Sequence, residues 1–440
     1  MSEYDIVIVG AGIVGSLLAA RLAPHARLLL LDRDVSGLPG STGHAPGFVG
    51  QVNAIPALSE VAQRSVRLYN SIPGGFATAG GMEVALGVHD EPDLDADIAA
   101  VDALKARAAL AAAAGLPHRL LSGAEARALA PTFVDQRALA AVHFPSDGLA
   151  NAKAIARHGQ EAARAAGATL LDADVSAVVK TASGFRVDSS QGAFAAAHVV
   201  VATGVWGGQL LPSLKATAVS VAHPYGYAGK RAARPTLQPF VRFPAQHAYA
   251  RDHGTRDGIG SYDHESVHYA LGRVGALDNA YGDWESRIAP ALNRAITLLP
   301  PKTAESFRNY RTPQRDGVHE VSAGSVPYAF NGLFTVTPDA LPLVGALDVG
   351  DGAGLWCAVG VWVTSAGGVV GVLADQILEA LGKKEADGVD ADLRRAFDPR
   401  RFDGRDEGEL ETAALGKYND IYNKAEQEAK PGHKRQKSNL

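Results

Sequence analysis

The chain has 440 residues, of which 47% are hydrophobic and 20% are charged, and its formal net charge is −5. These values are typical of a globular protein with a large core and more than one domain, and they disfavour a nucleic-acid-binding protein, which would carry a basic face. The single cysteine, Cys357, excludes an intrachain disulfide and a cysteine-based zinc site, and it fits a reducing compartment. The N-terminal apolar run is short and follows no basic segment, so it predicts neither a signal peptide nor a membrane anchor.

The first predicted elements form a βαβ unit. Residues 4–9 (YDIVIV) predict a buried parallel strand, which leads into the G-x-G-x-x-G sequence GAGIVG and an apolar helix. In such a unit Gly10 permits a tight turn, Gly12 lets a pyrophosphate reach the helix N-terminus, and Gly15 lets helix and strand pack closely. A second apolar run ends at Asp32, 22 residues after Gly10, where a carboxylate can accept a hydrogen bond from a ribose hydroxyl. The unit predicts a dinucleotide site in which the acid disfavours NADP but does not separate NAD from FAD.

Two later segments favour FAD. Residues 196–208 (AAHVVVATGVWGG) predict a buried strand that returns to the cofactor. Residues 332–345 (GLFTVTPDALPLVG) precede a strand, a glycine turn and a helix, whose N-terminus would again face a ligand. A nicotinamide enzyme normally completes its cofactor site in one contiguous domain, whereas FAD lies extended through a protein. A site assembled from both ends of the chain therefore favours FAD.

Five motifs along the chain resemble those of the amine-oxidising flavoproteins of the D-amino-acid oxidase superfamily: GAGIVG, STGHAPG, VATGVW, TPDALPLVG and WVTSAGG. Within that group the chain is most similar to dimethylglycine oxidase and dehydrogenase and to the sarcosine dehydrogenases, from about residue 4 to about residue 390. The resemblance implies an α/β FAD-binding Rossmann-like domain and an α+β substrate domain with an antiparallel sheet. The implied limits are 1–50, 150–215 and 331–390 for the FAD-binding domain, 51–149 and 216–330 for the substrate domain, and 391–440 for a C-terminal helix and basic tail.

The resemblance also implies how FAD is held. In that family the histidine of the STGHAPG loop carries FAD covalently through the flavin's 8α carbon, and His44 stands at this position. Such a bond raises the flavin's reduction potential; the alternative is that His44 only packs near a non-covalently bound ring. The predicted cofactor-binding residues are Gly10, Gly12, Ile13, Val14, Gly15, Asp32, Arg33, Ser41, Thr42, His44, Ala45, Pro46, Val175, Ala202, Thr203, Gly204, Trp206, Gly360, Trp362, Val363 and Thr364.

The predicted catalytic residues are His223 and Tyr262, which match a histidine and a tyrosine that line the pocket over the flavin in the resembling enzymes. Hydride leaves the carbon only if the nitrogen lone pair stabilises the developing iminium, so the amine must be neutral. A neutral imidazole, whose ordinary pKa is about 6.5, can take that proton. Tyr262 would fix the geometry. The alternative is that both are satisfied polar residues of a β-sheet.

Other polar residues of this region are weaker candidates. Tyr225 could line the pocket, and Arg251 could pair with a substrate carboxylate, although such an arginine is more often at the surface. His247 and His264 are predicted to be structural or exposed. No spacing of histidines, cysteines or carboxylates predicts a metal site.

The expected function is FAD-dependent oxidation of an N-methylated amino acid or a related secondary or tertiary amine. Hydride passes to the flavin and then to O2 or an electron-transfer protein, and no membrane or nucleic-acid partner is predicted. The folate-binding half of the resembling enzymes has no counterpart in this sequence, so we expect formaldehyde to be released. One alternative is an oxidase acting at the Cα–N bond of a secondary or D-amino acid. Another is a non-catalytic flavin-binding assembly factor, against which the retention of His223 and Tyr262 speaks.

The last three residues, Ser438, Asn439 and Leu440, resemble the S-K-L peroxisomal address. Peroxisome and cytoplasm are the two expected locations. The sequence does not indicate the oligomeric state.

Overall fold

The structure, a computed structural model, describes residues 3–87, 93–268, 289–308, 329–350 and 352–419. Its strands are β1 (Tyr4–Val9), β2 (Leu28–Asp32), β3 (Phe48–Val49), β4 (Phe76–Ala77), β5 (Gly81–Leu86), β6 (Arg119–Ser122), β7 (Ala138–Phe144), β8 (Gly148–Ala150), β9 (Thr169–Asp172), β10 (Val175–Thr181), β11 (Gly184–Ser189), β12 (Gly192–Val201), β13 (Val219–Tyr227), β14 (Phe240–Phe243), β15 (Ala248–Asp252), β16 (Asp257–Ser261), β17 (Ala329–Val336), β18 (Leu343–Gly350) and β19 (Ala353–Val359). Its helices are α1 (Ile13–Leu22), α2 (Ser41–His44), α3 (Pro56–Asn70), α4 (Leu94–Ala113), α5 (Gly123–Leu129), α6 (Ala152–Ala165), α7 (Gly207–Leu210), α8 (Ala289–Thr297), α9 (Pro301–Arg308), α10 (Ala366–Ala380), α11 (Ala391–Phe397) and α12 (Glu407–Asn419).

Five parallel strands form the centre of the first sheet, in the order β9-β2-β1-β12-β19. β1 and β2 consist largely of Val, Ile and Leu because strands of a parallel sheet are covered on both faces. β18 pairs antiparallel with β19 at one edge, and β10 and β11 form an antiparallel extension beside β12. Helices α1, α6 and α10 share one hydrophobic core with this sheet. The predicted α/β FAD-binding layer is therefore confirmed.

Helix α3 packs on this first layer, although the predicted limits assign it to the substrate domain. Val61 and Tyr69 are fully buried in the same core as α10. The two helices approach closely because α10 has a glycine at the crossing: a Cβ on Gly368 would lie 2.4 Å from the carbonyl oxygen of Val61. The predicted limits are therefore too wide for the substrate domain at this helix.

The second sheet has the order β17-β13-β16-β15-β14-β5-β7-β6. Its neighbouring strands are antiparallel except for β5 and β14, which run parallel. Helices α5, α8 and α9 cover one face of it, and α4 packs on β5 and β7. A small sheet, β3-β8-β4, is formed by the chain segments that connect the two large sheets. The predicted α+β substrate domain with an antiparallel sheet is confirmed.

The last described helix, α12, packs against β13 and β17 of the second sheet. The hydroxyl of Ser266 donates to the Leu415 carbonyl oxygen at 2.6 Å, and His268 lies 3.0 Å from the Glu411 carboxylate. Ala414 and Tyr418 are fully buried in a core shared with β13. Residues 391–419 are thus part of the body of the protein, whereas Ser438, Asn439 and Leu440 lie outside the described residues.

Two further findings concern the described ranges alone. None of their helices has the length and apolar character needed to cross a membrane. No group of three or more His, Cys, Asp or Glu side chains within them is arranged to hold a metal ion. Cys357 and its neighbour Trp356 are buried in β19.

Candidate active site

A cavity of about 720 Å³ lies between the two sheets. Both predicted catalytic residues, His223 and Tyr262, line it. So do all the predicted cofactor-binding residues except Gly15: Gly10, Gly12, Ile13, Val14, Asp32, Arg33, Ser41, Thr42, His44, Ala45, Pro46, Val175, Ala202, Thr203, Gly204, Trp206, Gly360, Trp362, Val363 and Thr364. Gly15 lies beneath this wall, where a Cβ would stand 1.8 Å from the carbonyl oxygen of Gly10. Gly15 contacts the glycine-rich turn and not the cavity because α1 crosses β1 at this residue.

The glycine-rich turn after β1 shapes one end of the cavity. Gly10 has φ +106°, and a Cβ there would lie 2.4 Å from the carbonyl oxygen of Ala202, so only glycine fits without strain. Gly12 directly precedes α1, whose first backbone N–H groups have no partners within the helix. The backbone N–H of Ile13 donates to Thr42 Oγ1 at 3.0 Å, which joins this turn to the loop that carries His44.

Asp32 lies at the end of β2 and faces the same turn. Its Oδ2 accepts from the backbone N–H of Ala11 at 2.6 Å, and its Oδ1 accepts from that of Asp34 at 3.1 Å. Burial raises the pKa of this carboxyl, and the two hydrogen bonds act against that rise. Next to it, Arg33 pairs with Asp174 at 2.8 Å, and its guanidinium lies 5.2 Å from the ring centroid of Trp206.

These residues fit the FAD that the family motifs imply. The turn offers backbone N–H groups at a helix N-terminus, as a pyrophosphate requires. Thr203 and Thr335 both line the cavity, and their buried hydroxyl oxygens have no hydrogen-bond partner among the described residues. Buried hydroxyls are rarely left unsatisfied, so these two positions favour a polar ligand.

His44 lies at the end of α2 and lines the cavity. Its Nδ1 stands 3.1 Å from the carbonyl oxygen of Gly40. A carbonyl oxygen can only accept, so Nδ1 carries the proton and the ring's lone pair is on Nε2. Burial lowers the pKa of this imidazole, which favours the neutral form.

His223 lies on β13 between two tyrosine hydroxyls. Its Nε2 is 2.7 Å from Tyr249 Oη, and its Nδ1 is 2.9 Å from Tyr418 Oη. Burial lowers the pKa of His223 to about 3, and the nearby His264 acts in the same direction. The Tyr262 ring centroid lies 4.4 Å from that of His223, so the structure brings the two predicted catalytic residues together.

Two residues of this network, Tyr249 and Tyr418, are not among the predicted site residues. Tyr249 lines the cavity from β15, within the polar segment that also contains Tyr262. Tyr418 comes from α12, and no local motif in the sequence marks it. His264, which is predicted to be structural or exposed, is half-buried, and its Nε2 lies 2.7 Å from Tyr418 Oη.

The weaker candidates have other surroundings. Tyr225 lines the cavity, and its Oη lies 2.6 Å from Nε2 of His253. Arg251 does not line the cavity, because its guanidinium is buried: Nη1 donates to the carbonyl oxygen of Pro46, and Nε donates to that of Asp252 at 3.0 Å. It therefore ties the second sheet to the His44 loop and is not placed to pair with a substrate carboxylate.

Comparison with known proteins adds a family and a set of relatives. The family described as DAO, FAD dependent oxidoreductase, matches residues 5–376. Glycine oxidase from Geobacillus kaustophilus (strain HTA426) is 26% identical over 213 residues, which are 47% of this chain and 56% of that protein. The match thus spans little more than half the length of that relative.

Several solved structures share the fold. Glycine oxidase from Geobacillus kaustophilus has a TM-score of 0.69 at 21% identity, covering 91% of this chain and 99% of its own. L-proline dehydrogenase from P. horikoshii has a TM-score of 0.70 at 19% identity, with coverages of 93% and 99%. Iminodiacetate oxidase from Chelativorans sp. BNC1 has a TM-score of 0.63 at 20% identity, with coverages of 87% and 97%. These findings support the superfamily and do not confirm the narrower resemblance to dimethylglycine and sarcosine dehydrogenases.

Proposed function

The chain belongs to the DAO family of FAD-dependent oxidoreductases, and we propose that within it the protein oxidises a small N-methylated amine or amino acid at a carbon bound to nitrogen. FAD, when bound, would supply the acceptor for the hydride that leaves this carbon. The observation that carries the proposal is His223, a buried neutral imidazole on the cavity wall, hydrogen-bonded to Tyr249 Oη at 2.7 Å. Because an ammonium has no lone pair to assist hydride departure, the protein must take a proton from the substrate first, and these two groups are placed to accept it.

The aromatic lining favours an alkylated nitrogen. Tyr225, Tyr249, Tyr262 and Phe334 all line the cavity around His223. The faces of aromatic rings attract methylated ammonium groups, and burial then favours loss of the ammonium proton because it disfavours charge. Both effects support the binding of a methylated amine and its conversion to the reactive neutral form.

A second candidate is oxidation on the Cα side of the nitrogen, which would give an imino acid. The relatives support it, since those reported above are named glycine oxidase, iminodiacetate oxidase and L-proline dehydrogenase. The residues described above are compatible with either reaction. The difference lies in which carbon of the substrate faces the flavin.

Sarcosine separates the two candidates in one experiment. Purified protein is mixed with sarcosine without oxygen, flavin absorbance is followed, and the products are analysed after air is admitted. Oxidation of the methyl carbon yields formaldehyde and glycine, whereas oxidation of Cα yields glyoxylate and methylamine. Dimethylglycine, glycine, iminodiacetate and L-proline extend the panel. If none of these amines bleaches the flavin, the proposed function is wrong and the assembly-factor alternative is favoured.

We also propose that FAD is attached covalently through His44. The lone pair on Nε2, the neutral ring and the glycine-rich loop around it support attachment to the flavin's 8α carbon. Acid-precipitated wild-type protein should stay yellow, and the precipitate of His44→Ala should be colourless. His158→Ala, which changes an exposed histidine on α6, is the matched control. Release of the colour from acid-precipitated wild type would contradict covalent attachment while leaving FAD as the cofactor.

Peroxisomal location remains a proposal that rests on the last three residues. A tagged chain lacking residues 438–440 should move from peroxisomes to the cytoplasm. An unchanged distribution in microscopy would remove the peroxisomal interpretation and leave the cytoplasmic one.

A further inference from the structure

Four side chains form a continuous hydrogen-bonded line that starts at the cavity. Tyr249 Oη, on the cavity wall, lies 2.7 Å from His223 Nε2, and His223 Nδ1 lies 2.9 Å from Tyr418 Oη. Tyr418 Oη lies 2.7 Å from Nε2 of His264, which is half-buried. We propose that Tyr249, His223, Tyr418 and His264 form a proton relay, which carries the substrate's ammonium proton from the cavity to the surface. This inference rests on the proposed amine oxidation.

The direction of each hydrogen bond follows from the far end of the line. His264 Nδ1 lies 2.7 Å from the carbonyl oxygen of Glu265, which can only accept, so Nδ1 carries the proton of a neutral ring. Nε2 of His264 must then accept from the hydroxyl of Tyr418. The Tyr418 oxygen accepts from Nδ1–H of His223, and Nε2 of His223 accepts from the hydroxyl of Tyr249. Every proton of the line therefore points away from the cavity.

This arrangement moves one proton with balanced bonds. The ammonium N–H breaks as its proton joins the oxygen of Tyr249, whose own proton passes to Nε2 of His223. The proton on Nδ1 of His223 passes to the oxygen of Tyr418, whose proton passes to Nε2 of His264. His264 becomes an imidazolium and releases a proton to water. No electron moves along the line and no further reactant is needed.

The surroundings of the two imidazoles favour transfer of an added proton over its retention. Burial lowers the pKa of both His223 and His264, so both rings are neutral at rest and neither holds a second proton. The charged groups around His264 are paired, since Arg294 on α8 lies 2.6 Å from the Asp263 carboxylate. The Asp263 carboxylate acts to raise the pKa of His264, and Arg294 acts to lower it. On α12, Glu411 lies 3.0 Å from His268.

Tyr418 and His264 do not line the cavity, so in this relay they are positioning residues that act through His223. A purely structural role is the competing explanation, since the Tyr418 ring also packs 5.3 Å from Tyr262 and 5.6 Å from Phe334, centroid to centroid. Tyr418→Phe separates the two explanations because it retains the ring and removes only the hydroxyl.

The kinetic test is the rate of anaerobic flavin reduction as a function of pH, in H2O and in D2O. At low pH, where the bound amine is protonated, Tyr418→Phe should be about 10- to 100-fold slower than wild type, and its solvent isotope effect should change. At high pH, where the amine is already neutral, the two rates should converge. Added imidazole should restore the rate of His264→Ala. Tyr227→Phe, on the same sheet but away from the cavity lining, should match wild type throughout. An equal loss at every pH, or no loss at all, would overturn the relay.

A second measurement needs no turnover. In protein with ¹⁵N-labelled histidine, NMR shifts report which ring nitrogen carries the proton, and the relay requires Nδ1–H for both His223 and His264. A proton on Nε2 of either ring would overturn the relay even in an active enzyme. If instead both rings show Nδ1–H but no amine reduces the flavin, the proposed function fails while the hydrogen-bonded line stands.

Discussion

The two walls of the cavity are built differently. On the FAD-binding wall, shape comes from the backbone: at Gly10 and Gly15 the main chain of one segment lies against another with no room for a side chain. On the substrate wall, the chemistry comes from side chains: His223 lines the cavity between Tyr249 on the same wall and, behind the wall, Tyr418, which is 195 residues away. One added methyl group should therefore disrupt the packing of the whole FAD-binding wall. Removal of one polar group from the substrate wall should leave its packing intact and remove its ability to accept a proton.

The largest expected effect comes from adding a methyl group to the first wall. In Gly15→Ala the new carbon would stand 1.8 Å from the carbonyl oxygen of Gly10, so α1 and β1 must separate. We expect destabilisation by about 3 kcal/mol or more and loss of flavin binding. Gly371→Ala is the matched control: apart from its chain neighbours and the nearby backbone of α10, no atom lies within 4 Å of the added carbon, and alanine there should stabilise by up to about 1 kcal/mol. The test compares the Tm and the flavin-to-protein absorbance ratio of the two variants. A similar response of both variants would contradict the backbone explanation.

A smaller but selective effect is expected on the second wall. His223→Gln should slow anaerobic flavin reduction by about 10²- to 10⁴-fold, because the proton acceptor is lost. Flavin content and Tm should change little, since the other wall is untouched. His143→Gln, a half-buried histidine on β7 of the same sheet that does not line the cavity, should leave the rate unchanged. If His223→Gln also lost its flavin, the two walls would not be independent.

The smallest effect concerns the junction between the walls, where Asp147 precedes β8. Its Oδ1 accepts from the backbone N–H of Gln51 at 2.9 Å, and burial raises its pKa to about 7. Because this folded-state pKa lies above the unfolded value of about 3.9, the folded protein binds the proton more tightly. Its contribution to stability is therefore present below about pH 4 and is lost as the pH rises through about 7.

Asp147→Asn removes this titration. Urea unfolding between pH 5 and pH 8 should show a wild-type stability that falls with pH by roughly 1–3 kcal/mol more than that of the variant. Asp102→Asn, at an exposed position on α4, should retain the wild-type slope. Parallel pH profiles for wild type and Asp147→Asn would show that this carboxyl does not titrate in the range.

The same difference explains what the sequence could predict. Gly10, Gly12 and Asp32 line the cavity because their spacing within one βαβ unit specifies local backbone geometry; their role as FAD ligands stays a prediction. His223 and Tyr262 were found through the family resemblance. Their partner Tyr418 was not, because its position depends on the docking of α12 onto β13, which no short-range pattern specifies.

Two further placements depend on contacts that the sequence does not specify. Helix α3 falls within the limits predicted for the substrate domain, but its crossing with α10 at Gly368 places it on the first sheet. Arg251, a weaker candidate for pairing with a substrate carboxylate, is buried, and its guanidinium donates to the carbonyl oxygen of Pro46. In both cases the sequence indicates the chemical character of the segment but does not show which distant residue it contacts.

The position of Tyr418 on the last described helix has a consequence for biosynthesis. A ribosome makes the chain from its N-terminus, so the glycine turn after β1 is available early, while the partner of His223 is added some 195 residues after it. The nascent polypeptide lacks the hydroxyl that contacts Nδ1 of His223 until α12 has emerged and docked. The hydrogen-bonded line from the cavity to His264 is therefore complete only after synthesis has passed residue 418.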